Sequence, residues 1–132
     1  MVRRFLTHWL PPLVWMGLIF ALSAQPDFPG PPEPWLDILL KKGGHALGYG
    51  VLAWLYRRAL GQHIRSANTL RVVSVCLAVA YGLSDEYHQT LVPGRNGRLL
   101  DVAVDGLGAC GAMLLDRWLE RRRTSARHLP AA

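Results

Sequence analysis

Four stretches of this chain stay apolar for about the length of a bilayer-crossing helix. "FLTHWLPPLVWMGLIFALSA" covers residues 5–24, "GGHALGYGVLAWLYRRAL" covers 43–60, a third run extends from about Leu70 to Val92, and "LLDVAVDGLGACGAMLLDRWL" covers 99–119. An α-helix rises about 1.5 Å per residue, so roughly 20 residues cross the hydrocarbon core. Only the first stretch is cleanly apolar. The other three carry ionisable groups that lipid tolerates only where they face a bundle interior.

The connections differ in chemistry. "QPDFPGPPEPW" places five prolines within residues 26–34, which predicts an extended, rigid link. "GQHIRSANT" joins the second and third stretches, and "PGRNG" gives turn chemistry between the third and fourth. There is no internal repeat. The pattern predicts an all-α, four-helix transmembrane bundle: one membrane domain over residues 1–120, with a solvated basic tail over 121–132. The basic start and "ALSA" also resemble a secretory signal peptide. The apolar run is long, however, and Pro26 follows directly, so a retained span is the expectation.

Composition narrows the class. The chain has 132 residues, 51% of them apolar and 18% charged, which fits one packed domain and excludes a disordered chain. The net charge of +6 raises the question of nucleic acid. No basic face is interleaved with aromatics, so no nucleic-acid partner is expected, and the arginines sit beside apolar runs as flanks of membrane spans do. Cys76 and Cys110 lie inside apolar stretches and read as small core residues, not as a disulfide or metal pair.

Charge also predicts orientation. With a cytoplasmic N-terminus, the inner segments hold eleven of the fifteen cations: Arg3, Arg4, Arg57, Arg58, Arg65, Arg71, Arg117, Arg121, Arg122, Arg123 and Arg127. The outer segments hold only Lys41, Lys42, Arg95 and Arg98. The positive-inside rule then puts both termini in the cytoplasm. In that orientation Ser23 and Gln25, Lys41, Lys42 and His45, Asp85 to Gln89, and Asp101 with Asp105 all arrive at the extracytoplasmic end. At about 100° per residue, Tyr81, Asp85, His88 and Gln89 share one face of the third helix, with Glu86 at its margin. Asp101 and Asp105 are one turn apart on the fourth, and Gly108 and Ala112 continue their face with room for close packing. His45 and Tyr49 are one turn apart on the second.

These residues resemble the VanZ-like family of small bacterial membrane proteins. The resemblance rests on "WMGLIFALSAQP" (Trp15 to Pro26), "KKGGHALGYGVLAWLYRR" (Lys41 to Arg58) and "AYGLSDEYHQTLVPGRNGRLLDVAVDGLGACG" (Ala80 to Gly111). It covers nearly the whole folded chain in the family's order. It implies a four-helix integral protein of the bacterial cytoplasmic membrane. The name-giving member is associated with low-level resistance to the glycopeptide teicoplanin, and no settled reaction comes with the resemblance. The chain departs from the family pattern in two places. Many members have Asn where Asp105 stands, and Lys41-Lys42 occurs where Asp before Lys is common.

Several carboxylates near a bilayer are costly unless paired or solvated. Three readings compete. In the first, the acids pair with Arg95, Arg98, Lys41 or Lys42 and stitch the outer helix ends together, with Glu86 snorkelling into water. In the second, Asp85, His88, Asp101 and Asp105, with His45, hold a divalent metal ion such as Zn, Mn or Mg. In the third, Lys42, Glu86, Arg95 and Arg98 bind an anionic headgroup and His45, Asp85, His88, Gln89 and Asp105 are the catalytic candidates. The expected partners are membrane lipids and a lipid-linked envelope precursor. Hydrolysis or transfer of that precursor, and non-catalytic binding that changes antibiotic access, both stay open. Proton-coupled transport is weaker, since no polar relay reaches the cytoplasmic end.

Overall fold

The computed structural model of the chain describes residues 2–25, 30–93 and 97–127. Those residues form four helices and no strand: α1 (Val2–Ser23), α2 (Pro34–Leu60), α3 (Ala67–Thr90) and α4 (Leu99–Arg127). The all-α expectation holds, and two helix ends move.

Helix α2 starts at Pro34, nine residues before the predicted position. Proline is well placed in a first turn, where its missing N–H has no partner to lose. The following "WLDILLKK" contains no breaker, and Gly43 and Gly44 weaken an interior without ending it. Helix α4 runs on through Arg127, so the first part of the predicted solvated tail is helical. Its arginines and Glu120 are good helix formers and no proline or glycine intervenes.

Helix α1 carries Pro11 and Pro12 in its interior. Pro11 cannot donate to the carbonyl of Thr7, one turn back. Arg58 on α2 supplies a replacement, its Nη2 donating to Thr7 O at 3.4 Å. Helix α3 is capped at its start by Ser66, whose Oγ accepts from Thr69 N at 3.4 Å.

Helix α2 is the centre of the bundle. It packs most extensively on α4, then on α3 and α1; α1 touches α3 lightly and does not pack on α4. The core is Tyr49, Leu52, Ala53, Tyr56, Ala78, Ala109 and Met113, with Trp15, Met16 and Ile19 of α1 leaning on it. Polar atoms of the aromatic residues are tied inward. Trp15 Nε1 donates to Gly48 O at 2.9 Å, Tyr81 OH to Met16 O at 2.7 Å, and Tyr56 OH lies 3.1 Å from Met16 Sδ.

The surface is inverted relative to a water-soluble protein. Leu47, Leu107 and Val72 are 71%, 72% and 62% exposed, while Asp105 and Ser74 are 1% and 0% exposed. Apolar residues outward with acids inward suits a lipid solvent, which gains nothing from burying leucine and cannot solvate a carboxylate. By length and composition, α1 and α3 are apolar enough to cross a membrane. Cys76 and Cys110 belong to the same outer surface: both are exposed free thiols, not the core residues their apolar surroundings suggested. In an inverted bundle, an apolar neighbourhood marks the outside.

At the end of the bundle where α2 and α4 finish and α3 begins, Asp116 Oδ2 accepts from Arg71 Nε at 3.0 Å. Arg57 Nε lies 2.7 Å from that oxygen as a charge contact without hydrogen-bond alignment. Arg71 also pairs with Glu120 and reaches Asn68 Oδ1 at 3.4 Å.

The α2–α4 contact depends on one glycine. A Cβ on Gly108 would sit 2.0 Å from Ala46 O, closer than any real contact. We expect Gly108→Leu to destabilise the folded protein by about 2 kcal/mol, read as a lower melting temperature in detergent. Gly111→Ala adds a Cβ that meets nothing within 4 Å and should stay within about 0.5 kcal/mol of wild type. Equal effects from the two variants would show that the helices have slack at this crossing.

Candidate functional site

The opposite end of the bundle gathers the other polar residues. Antiparallel helices bring the C-terminal turns of α1 and α3 beside the N-terminal half of α2 and the first turns of α4. Ser23, Lys42, His45, Tyr49, Asp85, Glu86, Gln89, Asp101 and Asp105 therefore lie at one level, although up to 82 positions separate them in sequence (105 − 23).

Two groups form there. The inner one centres on Asp85, 3% exposed. Its Oδ2 accepts from Ser23 Oγ at 2.7 Å, from Gln89 Nε2 at 3.1 Å and from Tyr49 OH at 3.3 Å. Gln89 Nε2 also donates to Ser23 Oγ at 3.4 Å. Three donors from α1, α2 and α3 converge on one oxygen, which locks the three helices at this level. Asp85 Oδ1 has no hydrogen-bond partner among the described residues.

The outer group joins α2, α3 and α4. His45 Nδ1 and Asp105 Oδ1 are 3.0 Å apart. The ligating atoms of His45, Glu86 and Asp105 all lie within 4.8 Å of one another. Glu86 Oε2 accepts from the backbone N–H of Arg98 at 2.7 Å, which ties the start of α4 to the end of α3. Beside them Lys42 pairs with Asp101. Gly82 makes room for this arrangement, since a Cβ there would lie 3.1 Å from Asp105 Oδ2 and 3.4 Å from the Tyr49 ring. Asp105 Oδ2 and Glu86 Oε1 are both buried without a hydrogen-bond partner among the described residues.

The buried face of α3 is thus Gly82, Asp85, Glu86 and Gln89, rotated by about one residue from the face predicted by spacing. Glu86 is 5% exposed instead of snorkelling into water. His88 turns toward α1, its ring 4.3 Å from that of Phe20 with a tilt of 39°, and its Nδ1 has no hydrogen-bond partner among the described residues. It is not among the residues gathered around Asp105. The expected metal set of Asp85, His88, Asp101 and Asp105 is consequently not the one the fold assembles; Glu86 and His45 stand with Asp105. The expected stitching by cations is present in part. Lys42 binds Asp101, but Lys41 pairs with Asp37 on its own helix at 3.0 Å, and Arg98 contributes its backbone while its side chain stays exposed. Arg95 lies outside the described residues.

Spacing alone missed Ser23 and Tyr49 as partners of Asp85. The available signals were modest: a hydroxyl at the last turn of a clean apolar span, and a tyrosine one turn from His45.

Chemically, the His45–Asp105 pair is a base oriented by a carboxylate. Four acids, Asp85, Glu86, Asp101 and Asp105, face one lysine and one histidine, so the site attracts cations more readily than bare anions. A mostly apolar groove of about 370 Å³ runs along the seam between α2 and α4. Ala46, Gly50, Trp54, Gly108 and Leu115 line it; its lining starts at Ala46, the residue after His45, and reaches Asp116 toward the other end of the bundle.

The family model described as VanZ/LLP1 matches residues 8–120, most of the chain and all of the site. No curated protein and no solved structure matches the chain. The family match and the two helices apolar enough to cross a bilayer together point to a membrane protein.

Proposed function

Since the chain belongs to the VanZ/LLP1 family, we propose that it is a multi-pass protein of the bacterial cytoplasmic membrane with both termini inside. Its polar end faces outward and recognises the headgroup of a phosphate-bearing lipid, such as a lipid-linked cell-wall precursor. By doing so it influences susceptibility to teicoplanin-type glycopeptides. The observation that carries this reading is the convergence of His45, Glu86 and Asp105 from three helices, together with an apolar groove along the α2–α4 seam whose lining starts at Ala46, the residue after His45. A polar site for a headgroup beside an apolar track for its tail is the layout an amphipathic lipid requires. Lys42 and Arg98 stand at the rim, where Lys42 can exchange Asp101 for a phosphate. The His45–Asp105 pair supplies a base should the bound headgroup be hydrolysed or transferred.

Sidedness is checked by labelling. In a cysteine-free background, Glu33→Cys should react with an impermeant thiol reagent on intact cells, and His63→Cys only after lysis. The reverse pattern would remove the outer-face reading. Recognition is checked by titrating the purified protein with a polyprenyl phosphate and with the matching polyprenyl alcohol. The phosphate should bind at least tenfold tighter, and Lys42→Ala and Arg98→Ala should each erode that preference. Equal binding of phosphate and alcohol would sink the reading. Phosphate release that disappears in His45→Gln would make the protein a catalyst; tight binding without turnover would make it a recognition module.

A further inference from the structure

We infer that His45, Glu86 and Asp105 bind one divalent transition-metal ion of the zinc or manganese class. The three donors come from α2, α3 and α4 and lie within 4.8 Å of one another. Proximity of acids alone is common. The second observation is that Asp105 Oδ2 and Glu86 Oε1 are buried with no hydrogen-bond partner among the described residues, on residues only 1% and 5% exposed. Two unpartnered carboxylate oxygens in a buried setting are a large cost to folding, and a shared cation removes it from both.

The donor set selects the ion. One imidazole with two carboxylates suits zinc or manganese better than the all-oxygen cages of calcium and magnesium, and the absence of thiolate disfavours softer ions. The ligands are also held from behind, as ligands of a metal usually are. Arg98 N–H orients Glu86 through Oε2, and Gly82 admits Asp105 against α3. Asp101 beside the site is paired with Lys42 and lies outside the three-donor group.

An ion here also resolves the charge mismatch of an acid-rich site that is to receive a phosphate. Three protein ligands leave a coordination position open, and a phosphate oxygen fits it. That bridging role rests on the headgroup reading above; the ion site itself does not.

The test uses the full chain in detergent, freed of metal with a chelator and titrated with Zn²⁺ or Co²⁺ alone. Wild type should take up one ion per chain, and the Co²⁺ form should show visible ligand-field absorption. Glu86→Gln and Asp105→Asn, both close in shape to the native residues, should each weaken binding by at least about tenfold. Asp37→Asn, which removes the pair with Lys41 on α2 away from the three donors, should leave it unchanged. No ion uptake by wild type, or wild-type affinity in both site variants, overturns the site. A parallel titration with polyprenyl phosphate and its alcohol separates the two ideas. Ion uptake without preference for the phosphate keeps the metal site and removes the headgroup reading. Preference for the phosphate in a protein that takes up no ion does the opposite.

Discussion

His45→Ala is expected to return cells expressing the protein to the teicoplanin susceptibility of cells without it, and to lower its stability as well. The two losses have different causes and a second variant separates them. His45 Nδ1 is 3.0 Å from Asp105 Oδ1, and the other oxygen of Asp105 already lacks a partner. Alanine would leave a nearly inaccessible carboxylate with no partner on either oxygen. That costs about 2 kcal/mol, discounted because His45 itself is partly exposed. His45→Gln returns an N–H donor of similar reach and should recover most of the melting temperature. It returns neither the imidazole base nor a good metal ligand, so susceptibility should stay at the background level. Recovery of both properties in the glutamine variant would mean that His45 serves only to satisfy Asp105. The functional half of this result belongs to the proposed role, whereas the stability half follows from geometry alone.

The largest purely structural effect is expected at the other end of the bundle. Asp116→Ala should destabilise the protein by about 3 kcal/mol. One carboxylate oxygen serves Arg71 at 3.0 Å and Arg57 at 2.7 Å, and Arg71 is 10% exposed at its side chain. Removing Asp116 leaves Arg71 with Glu120, which is half in solvent, and leaves Arg57 with no acid. Combining Asp116→Leu with Arg71→Met should cost less than Asp116→Leu alone, since Arg71 is then no longer a stranded charge, although Arg57 still loses Asp116. Melting in detergent and in lipid discs would check both statements. The preference for polyprenyl phosphate over its alcohol should survive in the folded fraction, since no residue of the polar outer group is touched. A fall in that preference matching the fall in stability would indicate that the two ends of the bundle are coupled.

Much of the architecture was legible before any coordinates. Hydrophobic run length and turn chemistry located four helices, and alternation of chain direction put Asp85, Asp101 and His45 at one level. The failures share a physical origin. Pro34 was read as a breaker, although a proline is acceptable in a first turn and only packing shows where that turn begins. Cys76 and Cys110 were placed inside because their neighbours are apolar, a rule that reverses when the surface itself is apolar. On α3, adjacent residues differ by about 100°, so spacing could not choose between the face with His88 and the face with Glu86. Phe20 on one side and the backbone of Arg98 on the other made that choice.

By itself, then, the sequence determined the class of this protein, the number of its helices and the level at which Asp85, Glu86, Asp101 and Asp105 meet. Those follow from local quantities: apolar length, the charge of the flanks and the direction of each segment. Which acid meets which base was decided only by the tertiary structure. Asp85 is held by Ser23, Tyr49 and Gln89, while Glu86 and Asp105 face His45 across three helices. That division depends on the rotation of each helix about its own axis. The rotation is set by how closely neighbouring helices approach, at Gly108 against the backbone of Ala46 and at Gly82 against the side chain of Asp105, and no single helix carries that information alone.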